Sequence, residues 1–149
     1  MTFDVQEFWN KKIIGWEEGR YSNNSSSGTK LLERLANSAS TSLRFRMEVA
    51  AKLLAPHVAN KKVLEIGGGS GLLTKSIMDA TAASYLGVDI APIAIKKAKE
   101  RNLNQEWSNQ VVFEVRDLDT IPIGAYDIVV SLGLVDWLND IELELEEED

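Results

Sequence analysis

The feature that most constrains the fold of this chain is a strand-like run that ends in a glycine cluster and continues as a helix. The run Lys62–Ile66 is short and rich in residues that favour β-strands, and four of the five residues at 67–71 are glycines. A helical pattern over 72–80 follows directly. Glycines allow sharp turns and a close approach of the backbone to a ligand, and a helix N-terminus offers free N–H groups. The sequence therefore predicts a ligand-binding turn at the carboxyl end of a strand.

Three further apolar runs follow, and segments of helical or turn composition separate them. They cover residues 84–89, 111–115 and 126–132. Pro92 suits the first turn of the helix expected over 93–101, since its missing N–H costs nothing at that position. Strands that alternate with helices are typical of βαβ units. We therefore predict an α/β fold, a three-layer parallel sheet with helices on both faces.

The composition divides the chain into three segments. Residues 1–41 begin with an aromatic-rich stretch that predicts an amphipathic helix, and a polar Ser/Asn loop over 22–28 follows it. Residues 42–140 contain another helical pattern, over 42–58, and all of the strand-like runs. Residues 141–149 are an acidic tail. We predict an N-terminal helical or lid segment with a flexible loop, a ligand-binding core and a solvated end.

Charge and composition exclude several classes of function. Six of the 23 acidic residues lie in 141–149, which leaves 17 acidic and 16 basic residues in an almost neutral body. The sequence has no basic stripe with interleaved aromatics, so we expect no nucleic-acid partner. With no cysteine and a single histidine, His57, we expect no metal site. Apolar runs stay below the ~18 residues of a membrane span, and residues 1–10 do not resemble a signal peptide. We therefore expect a cytoplasmic protein without a membrane partner.

Residue spacing in the glycine loop excludes two common nucleotide motifs. A P-loop requires a lysine and then a serine or threonine directly after the last glycine, but Gly71 is followed by Leu72. A dinucleotide loop requires a small residue at the sixth position of G-x-G-x-x-G. That position is Leu72 when counted from Gly67, and Thr74 when counted from Gly69. The loop therefore belongs to another class of ligand site.

The loop resembles the first motif of the class I S-adenosylmethionine-dependent methyltransferases, in which an acid stands two residues before the first glycine. Further landmarks of that family stand here in the same order, over about residues 45–137. They are Glu65 with the glycine loop, Asp89 after the second strand-like run, Asp117 after the third, and the run 126–131. The resemblance implies a Rossmann-like sheet, of which four to five strands lie in this chain, and S-adenosylmethionine as the cofactor.

The resemblance also implies a role for each landmark. Glu65 would act indirectly, through a hydrogen bond to the loop or to the ligand amine. Asp89 would accept hydrogen bonds from both ribose hydroxyls, and Asp117 would accept one from the adenine amino group. The remaining cofactor-binding candidates are Gly67, Gly68, Gly69 and Gly71 in the loop, Ile90 and Leu118 at the adenine ring, Ser131 on the methionine side, and Arg46 or its neighbour Arg44 at the cofactor carboxylate.

By the same resemblance, the chain would be an enzyme that transfers a methyl group to an acceptor. The sulfonium of the cofactor already activates the methyl group, so alignment of the acceptor is the main task, and no catalytic residue is assigned. The almost neutral body favours a small-molecule acceptor such as a sugar or another metabolite. The N-terminal aromatic stretch resembles the leader of bacterial methyltransferases that act on such compounds. Candidate substrate-binding residues are Trp16, Tyr21 and Trp137.

The chain departs from this family in its number of strands. The family has a seven-stranded sheet, whereas only four strand-like runs precede the end of this sequence. With the family's strand order, the fourth strand would be an exposed apolar edge over 128–130, which invites pairing with another chain. Three interpretations stay open: a truncated chain, a homo-oligomer that pairs through this edge, or a half-protein that needs a partner. The alternative function is a catalytically silent S-adenosylmethionine-binding or assembly module.

Overall fold

The structure, a computed structural model, describes residues 4–21, 45–122, 124–132 and 134. The helices are α1 (Val5–Tyr21), α2 (45–54 in its described part), α3 (Thr74–Asp79) and α4 (Pro92–Asn102). The strands are β1 (Lys62–Ile66), β2 (Ser84–Asp89), β3 (Val111–Val115) and β4 (Ile128–Ser131). Strands alternate with helices from β1 to β3, as the sequence predicts.

The four strands form one parallel sheet in the order β3-β2-β1-β4. Val63 of β1 aligns with Tyr85 of β2 on one side and with Ile128 of β4 on the other. The chain therefore builds outward from β1 through β2 to β3, and then returns to the opposite side of β1. In such sheets, ligands bind beyond the carboxyl ends of the strands, at the point where the strand order reverses. The predicted α/β, Rossmann-like class is confirmed.

One face of the sheet packs against α2, α3 and α4, and this contact forms the core. The central side chain of that face is Tyr85, whose ring meets the ring of Phe113 edge-on at 5.8 Å between centroids. Burial of this much apolar surface is the main stabilising term, at about 25 cal/mol per Å² removed from water. The buried cluster consists of Ala50, Val58, Val63, Leu73, Ile77, Met78, Ala82, Tyr85, Ile95, Ala98, Phe113 and Val130.

The opposite face of the sheet carries an apolar row across all four strands. The row is formed by Leu64, Leu86, Val112 and Val129, which are aligned by the strand register. Val112 is 49% exposed and Val129 is 58% exposed, and the cluster shared with the helices contains none of the four. Among the described elements, the helices that pack on the sheet lie on the face of Tyr85. The predicted helices on the opposite face stay a prediction.

Several boundaries differ from the sequence prediction. The helix expected over 72–80 spans Thr74–Asp79, because residues 71–73 continue the glycine loop as a turn. Pro92 is itself the first residue of α4, where proline is favoured. The helix expected over 42–58 ends at residue 54, shortly before Pro56. The Ser/Asn loop 22–28 and the acidic tail 141–149 lie outside the described residues, so the three-segment division stays a prediction.

Within the described ranges, no helix is both long enough and apolar enough to cross a lipid bilayer.

Candidate functional site

The glycine loop turns across the carboxyl ends of β1 and β2. Its residues Gly67, Gly69 and Gly71 have positive φ angles of +70°, +55° and +70°. L-residues rarely adopt such angles, which accounts for glycine at alternate positions. The N–H groups of Gly67 and Gly68 both donate to the carbonyl oxygen of Val88, at 2.9 and 3.3 Å. The loop is therefore attached to the end of β2 before any ligand arrives.

The space beside these glycines differs from one position to the next. A Cβ atom placed on Gly69 would meet nothing within 4 Å. On Gly71 it would lie 3.1 Å from the Cβ atom of Ala98 in α4, and on Gly67 it would lie at an ordinary contact distance of 3.5 Å from the side chain of Leu134. Gly69 therefore leaves open space in which a ligand can approach the backbone, whereas Gly71 allows the loop to pack against α4.

Asp89, the last residue of β2, holds the glycine loop and the β2–α4 turn together. One of its carboxylate oxygens accepts a hydrogen bond from the N–H of Gly69 at 2.9 Å, and the other accepts from the N–H of Ala91, also at 2.9 Å. Burial raises the pKa of this carboxyl group, and the backbone N–H bonds counteract part of the rise. Since an ionised carboxylate has about four acceptor positions, about two stay available to a ligand.

Glu65 lies beneath the loop and is only 2% exposed. Its Oε2 atom accepts a hydrogen bond from the hydroxyl group of Tyr85. A Cβ atom on Gly68 would lie 3.2 Å from the Cδ atom of Glu65, so the loop rests closely on this carboxyl group. Burial raises the pKa of Glu65 to about 7; the Tyr85 hydrogen bond lowers it, and the charge of Asp89 raises it. The hydrogen bond of Glu65 thus goes to Tyr85, and its predicted bond to the loop or to the ligand amine stays a prediction.

An open groove of about 650 Å³ borders the carboxyl ends of β2 and β3. Its lining includes both Ile90 and Asp117, which the family resemblance assigns to the adenine of the cofactor. Asp117 accepts a hydrogen bond from the N–H of Leu118 at 2.6 Å, which starts a short 3₁₀ turn over Leu118–Thr120. Leu118 is 41% exposed and does not line the groove. The lining consists of Asp4, Val5, Gln6, Ile90, Val115, Arg116, Asp117 and Thr120.

Among the other predicted site residues, the structure describes the side chains of two and not those of the remaining four. Ser131 is the exposed last residue of β4 and aligns with Ile66 at the carboxyl end of β1. Arg46 lies exposed on α2, and within the described residues no hydrogen bond or ion pair joins it to the glycine loop. The backbones of Trp16 and Tyr21 belong to α1, but their side chains fall outside the described part. Arg44 and Trp137 lie outside the described residues altogether, so these roles stay predictions.

The sequence analysis did not identify three residues that shape this site. Arg101 of α4 donates from Nε to the carbonyl oxygen of Ser70 in the loop, at 3.1 Å. Tyr85 is the hydrogen-bond partner of Glu65. Gly87 makes room for the ring of Phe113, since a Cβ atom there would lie 2.8 Å from the ring. A tyrosine in an apolar strand was the available signal, because a buried hydroxyl group needs a polar partner.

Helix α1 also reaches the site. The side-chain amide of Gln6 donates to the carbonyl oxygen of Ile90 at 3.1 Å, and the N–H of Ile93 donates to Oδ1 of Asn10 at 3.2 Å. The N-terminal segment therefore contacts the loop that carries Ile90. Across the described ranges, no group of three or more histidine, aspartate or glutamate side chains could hold a metal ion.

Comparison with known proteins supports the interpretation of the glycine loop. Residues 64–147, more than half of the chain, match the family of the methyltransferase domain. A provisionally named protein N5-glutamine methyltransferase of Methanocaldococcus jannaschii is 39% identical over 74 residues, which are 49% of this chain and 36% of the relative. A ubiquinone biosynthesis O-methyltransferase of Acinetobacter baumannii is 32% identical over 85 residues, which are 56% of this chain and 35% of the relative. The chain thus spans about a third of the length of these relatives.

Two crystal structures of magnesium protoporphyrin IX methyltransferase from Synechocystis PCC 6803 have the same fold. The complexes with bound SAH and SAM superpose with TM-scores of 0.70 and 0.69 at 19% identity, and cover 88% and 90% of this chain and 57% and 64% of that protein. At this identity the likeness concerns the fold alone. Together with the family match over more than half of the sequence, it leads to one conclusion: the chain belongs to the class I, Rossmann-like family of S-adenosylmethionine-dependent methyltransferases.

Proposed function

We propose that this chain binds S-adenosylmethionine at the carboxyl ends of β1, β2 and β3 and transfers its methyl group to a small-molecule acceptor. The observation that carries the proposal is the joint placement of three features. The open backbone at Gly69, the carboxylate of Asp89 and the groove at Asp117 follow one another along the carboxyl ends of β1, β2 and β3. The order matches the three parts of the cofactor, which are the amino acid, the ribose and the adenine.

Each part of the cofactor has a matching group in the chain. Asp117 and Ile90, on the groove, offer an acceptor for the adenine amino group and an apolar contact for its ring. Asp89 has acceptor positions left for the ribose hydroxyls, and hydrogen bonds to a charged acceptor are strong ones. Gly69 lets the amino-acid part lie against the backbone without a side chain between them.

The chemistry asks the protein mainly for binding and orientation. When bound, the cofactor supplies a methyl group that its sulfonium already activates. The residues of this chain then hold the ligand in one pose, and such positioning lowers the activation barrier by about 7–11 kcal/mol in well-oriented reactions. The carboxylates of Asp89 and Asp117 also place negative charge near a cationic ligand.

The acceptor is proposed from the charge of the chain. The body is almost neutral, which favours a sugar or another small metabolite over a nucleic acid. The named relatives do not point to one acceptor, since one is named for protein glutamine and another for ubiquinone biosynthesis. Trp16, Tyr21 and Trp137 stay the candidate acceptor contacts, and a cytoplasmic location stays a prediction.

Calorimetric titration with S-adenosylmethionine and S-adenosylhomocysteine tests the cofactor site. We expect saturable, micromolar binding of both to the folded chain. Asp117→Ala should weaken binding about tenfold or more, since hydrogen bonds to charged groups contribute about 1.5–3 kcal/mol. Asp119→Ala is the matched control, because Asp119 is an exposed aspartate of the same turn that does not line the groove. A folded chain that binds neither compound would overturn the proposal.

The exposed position of β4 favours a second candidate function, a catalytically silent assembly module. β4 is an edge of the described sheet, and Val129 on it is 58% exposed. Exposed apolar edge strands pair with other chains, and charged side chains prevent such pairing. In this proposal two copies associate through β4. The native mass from light scattering should then be a dimer, which Val129→Lys dissociates and Val112→Lys on the other edge strand leaves intact. A monomeric wild-type chain would exclude it.

A further inference from the structure

We infer that α1 forms the outer wall of the adenosine pocket, and that Gln6 and Asn10 are positioning residues that hold the 90–93 segment where it contacts the adenine. This inference rests on the proposed function, because it assigns a second element to the same cofactor site.

The groove has two sides, and α1 supplies one of them. Asp4, Val5 and Gln6, at the start of the helix, face residues from the ends of β2 and β3 across the groove. The side chain of Asp4 begins the helix at this place, since its Oδ1 atom accepts a hydrogen bond from the N–H of Glu7 at 3.0 Å. Three of the eight residues that line the groove therefore come from the start of this helix.

Two hydrogen bonds join α1 to the 90–93 segment across more than 80 residues of chain. Gln6 Nε2 donates to the carbonyl oxygen of Ile90 at 3.1 Å, and the N–H of Ile93 donates to Oδ1 of Asn10 at 3.2 Å. Gln6 and Asn10 are four residues apart, so they lie on the same face of α1, one turn after the other. Both bonds fix the backbone of the segment that presents Ile90 to the groove.

Asn10 takes the place of a missing local cap on α4. The first N–H groups of a helix have no partner inside it and are usually capped by a side chain just before the helix. The residue at that position here is Ala91, whose side chain makes no capping bond. Asn10 supplies the acceptor from another helix instead. The N-terminus of α4 therefore depends on α1 for its geometry.

The next turn of α1 continues this contact with apolar packing. Ile13 is 7% exposed and is buried in a small cluster with Ala91 and Ala94, against which Trp9 and Ile93 also pack. The spacing of Gln6, Asn10 and Ile13 is that of one helix face. Three successive turns of α1 thus hold the segment between β2 and α4, which carries the proposed adenine contact.

The experiment measures binding of S-adenosylhomocysteine and of 5′-methylthioadenosine, which keeps the adenosine but lacks the amino acid. Gln6→Ala and Asn10→Ala should each weaken both ligands about threefold, and the double variant about tenfold, the effect of one to two modest hydrogen bonds. Asn10→Asp keeps an acceptor for the N–H of Ile93 and should bind like the wild type. Lys11→Ala is the control, since the Lys11 side chain is 74% exposed on the same helix.

The outcomes separate this inference from the proposed function. The wall and the two positioning roles are supported if the wild type binds both ligands, the alanine variants bind them more weakly, and Asn10→Asp binds them like the wild type. Wild-type binding with unchanged affinities in folded Gln6→Ala and Asn10→Ala variants overturns the inference and leaves the cofactor site in place. A folded wild-type chain that binds neither ligand overturns the proposed function, and this inference with it.

Discussion

The hydroxyl group of Tyr85 on β2 donates a hydrogen bond to the carboxyl group of Glu65 on β1, and both residues are buried on the same face of the sheet. Glu65 aligns with Gly87 and Tyr85 with Val63, so the bonded pair lies diagonally across the two strands. Burial raises the pKa of Tyr85 well above 10 and that of Glu65 to about 7. Tyr85 therefore keeps its proton, while Glu65 changes charge near neutral pH.

Glu65 should make the free energy of unfolding depend on pH between about 4.5 and 7. The folded state raises its pKa from 4.5 to about 7, so the folded chain binds this proton more tightly than the unfolded chain does. The resulting stability is fully present below pH 4.5 and is lost as the pH rises through about 7, by about 3 kcal/mol in all. Denaturant unfolding of the wild type and of Glu65→Gln from pH 4.5 to 8 measures it.

The difference in the free energy of unfolding between the wild type and Glu65→Gln isolates the carboxyl group of Glu65, because the other titrating groups are common to both chains. We expect the free energy of unfolding of the wild type to fall relative to that of Glu65→Gln as the pH rises. A difference that stays constant over this range would mean that the carboxyl group of Glu65 titrates at its ordinary pKa.

Tyr85→Phe should remove the one hydrogen bond that lowers the pKa of Glu65 and so raise that pKa further. The free energy of unfolding should fall by about 1–3 kcal/mol at pH 8, where the buried carboxylate is left without this donor, and by less at pH 5. The ring keeps its contact with Phe113, so packing changes little. Tyr126→Phe, at a half-buried tyrosine outside this pair, is the control. Equal losses at both pH values would contradict the pairing.

Local pattern was enough to predict the strands, the glycine loop and the three acids at their ends. Strand periodicity and the glycine spacing are properties of neighbouring residues, and they locate Glu65, Asp89 and Asp117 at one edge of the sheet. The resemblance assigned Asp89 to the ribose. It could not reveal that both oxygens of Asp89 also accept backbone N–H groups, since that depends on the folded path of the loop.

Contacts between distant parts of the chain could not be predicted in this way. Gln6 meets Ile90 across 84 residues, and Arg101 meets Ser70 across 31. A helical pattern shows which face of α1 is apolar, but not which other element that face contacts. The start of α3 at Thr74 was also missed, because the turn of the glycine loop continues over residues 71–73 although their composition favours a helix.

Gly87→Ala should lower the free energy of unfolding by about 1–3 kcal/mol, the usual cost of overpacking a core. The added Cβ atom would lie 2.8 Å from Cδ1 of Phe113 and 3.0 Å from Cε1 of Tyr85, so a buried ring must move. The second substitution Phe113→Leu removes part of that clash. The double variant should therefore lose less stability than the sum of the two single losses, and strictly additive losses in denaturant unfolding would rule out the clash.

Asp89→Ala should weaken S-adenosylhomocysteine binding by about 1.5–3 kcal/mol, because it removes a charged acceptor. It also leaves the N–H groups of Gly69 and Ala91 without their partner, so the free energy of unfolding should fall as well. Asp127→Ala is a matched control. Asp127 likewise accepts a backbone N–H, from Lys62 at 2.8 Å, but at the opposite end of β1. It should lower stability and leave affinity unchanged; a loss of affinity in both variants would trace the effect to folding.

Gly69→Ala and Gly124→Ala form a matched pair that tests where the ligand lies. Both glycines have positive φ angles, +55° and +92°, and a Cβ atom on either would meet nothing within 4 Å. Each substitution should therefore lower the free energy of unfolding by at least about 1–2 kcal/mol through backbone strain alone. Only the methyl group on Gly69 would occupy the space proposed for the amino-acid part of the cofactor.

Calorimetry on the two variants separates the effect of backbone strain from the effect of a methyl group that fills the space of the ligand. Gly69→Ala should bind S-adenosylhomocysteine at least about tenfold more weakly than the wild type, because the methyl group keeps the ligand from the backbone and disturbs the Gly69–Asp89 hydrogen bond. Gly124→Ala should bind it with unchanged affinity, since Gly124 lies in the turn before β4 and not in the glycine loop. If Gly69→Ala binds as tightly as the wild type, the ligand does not lie against this loop.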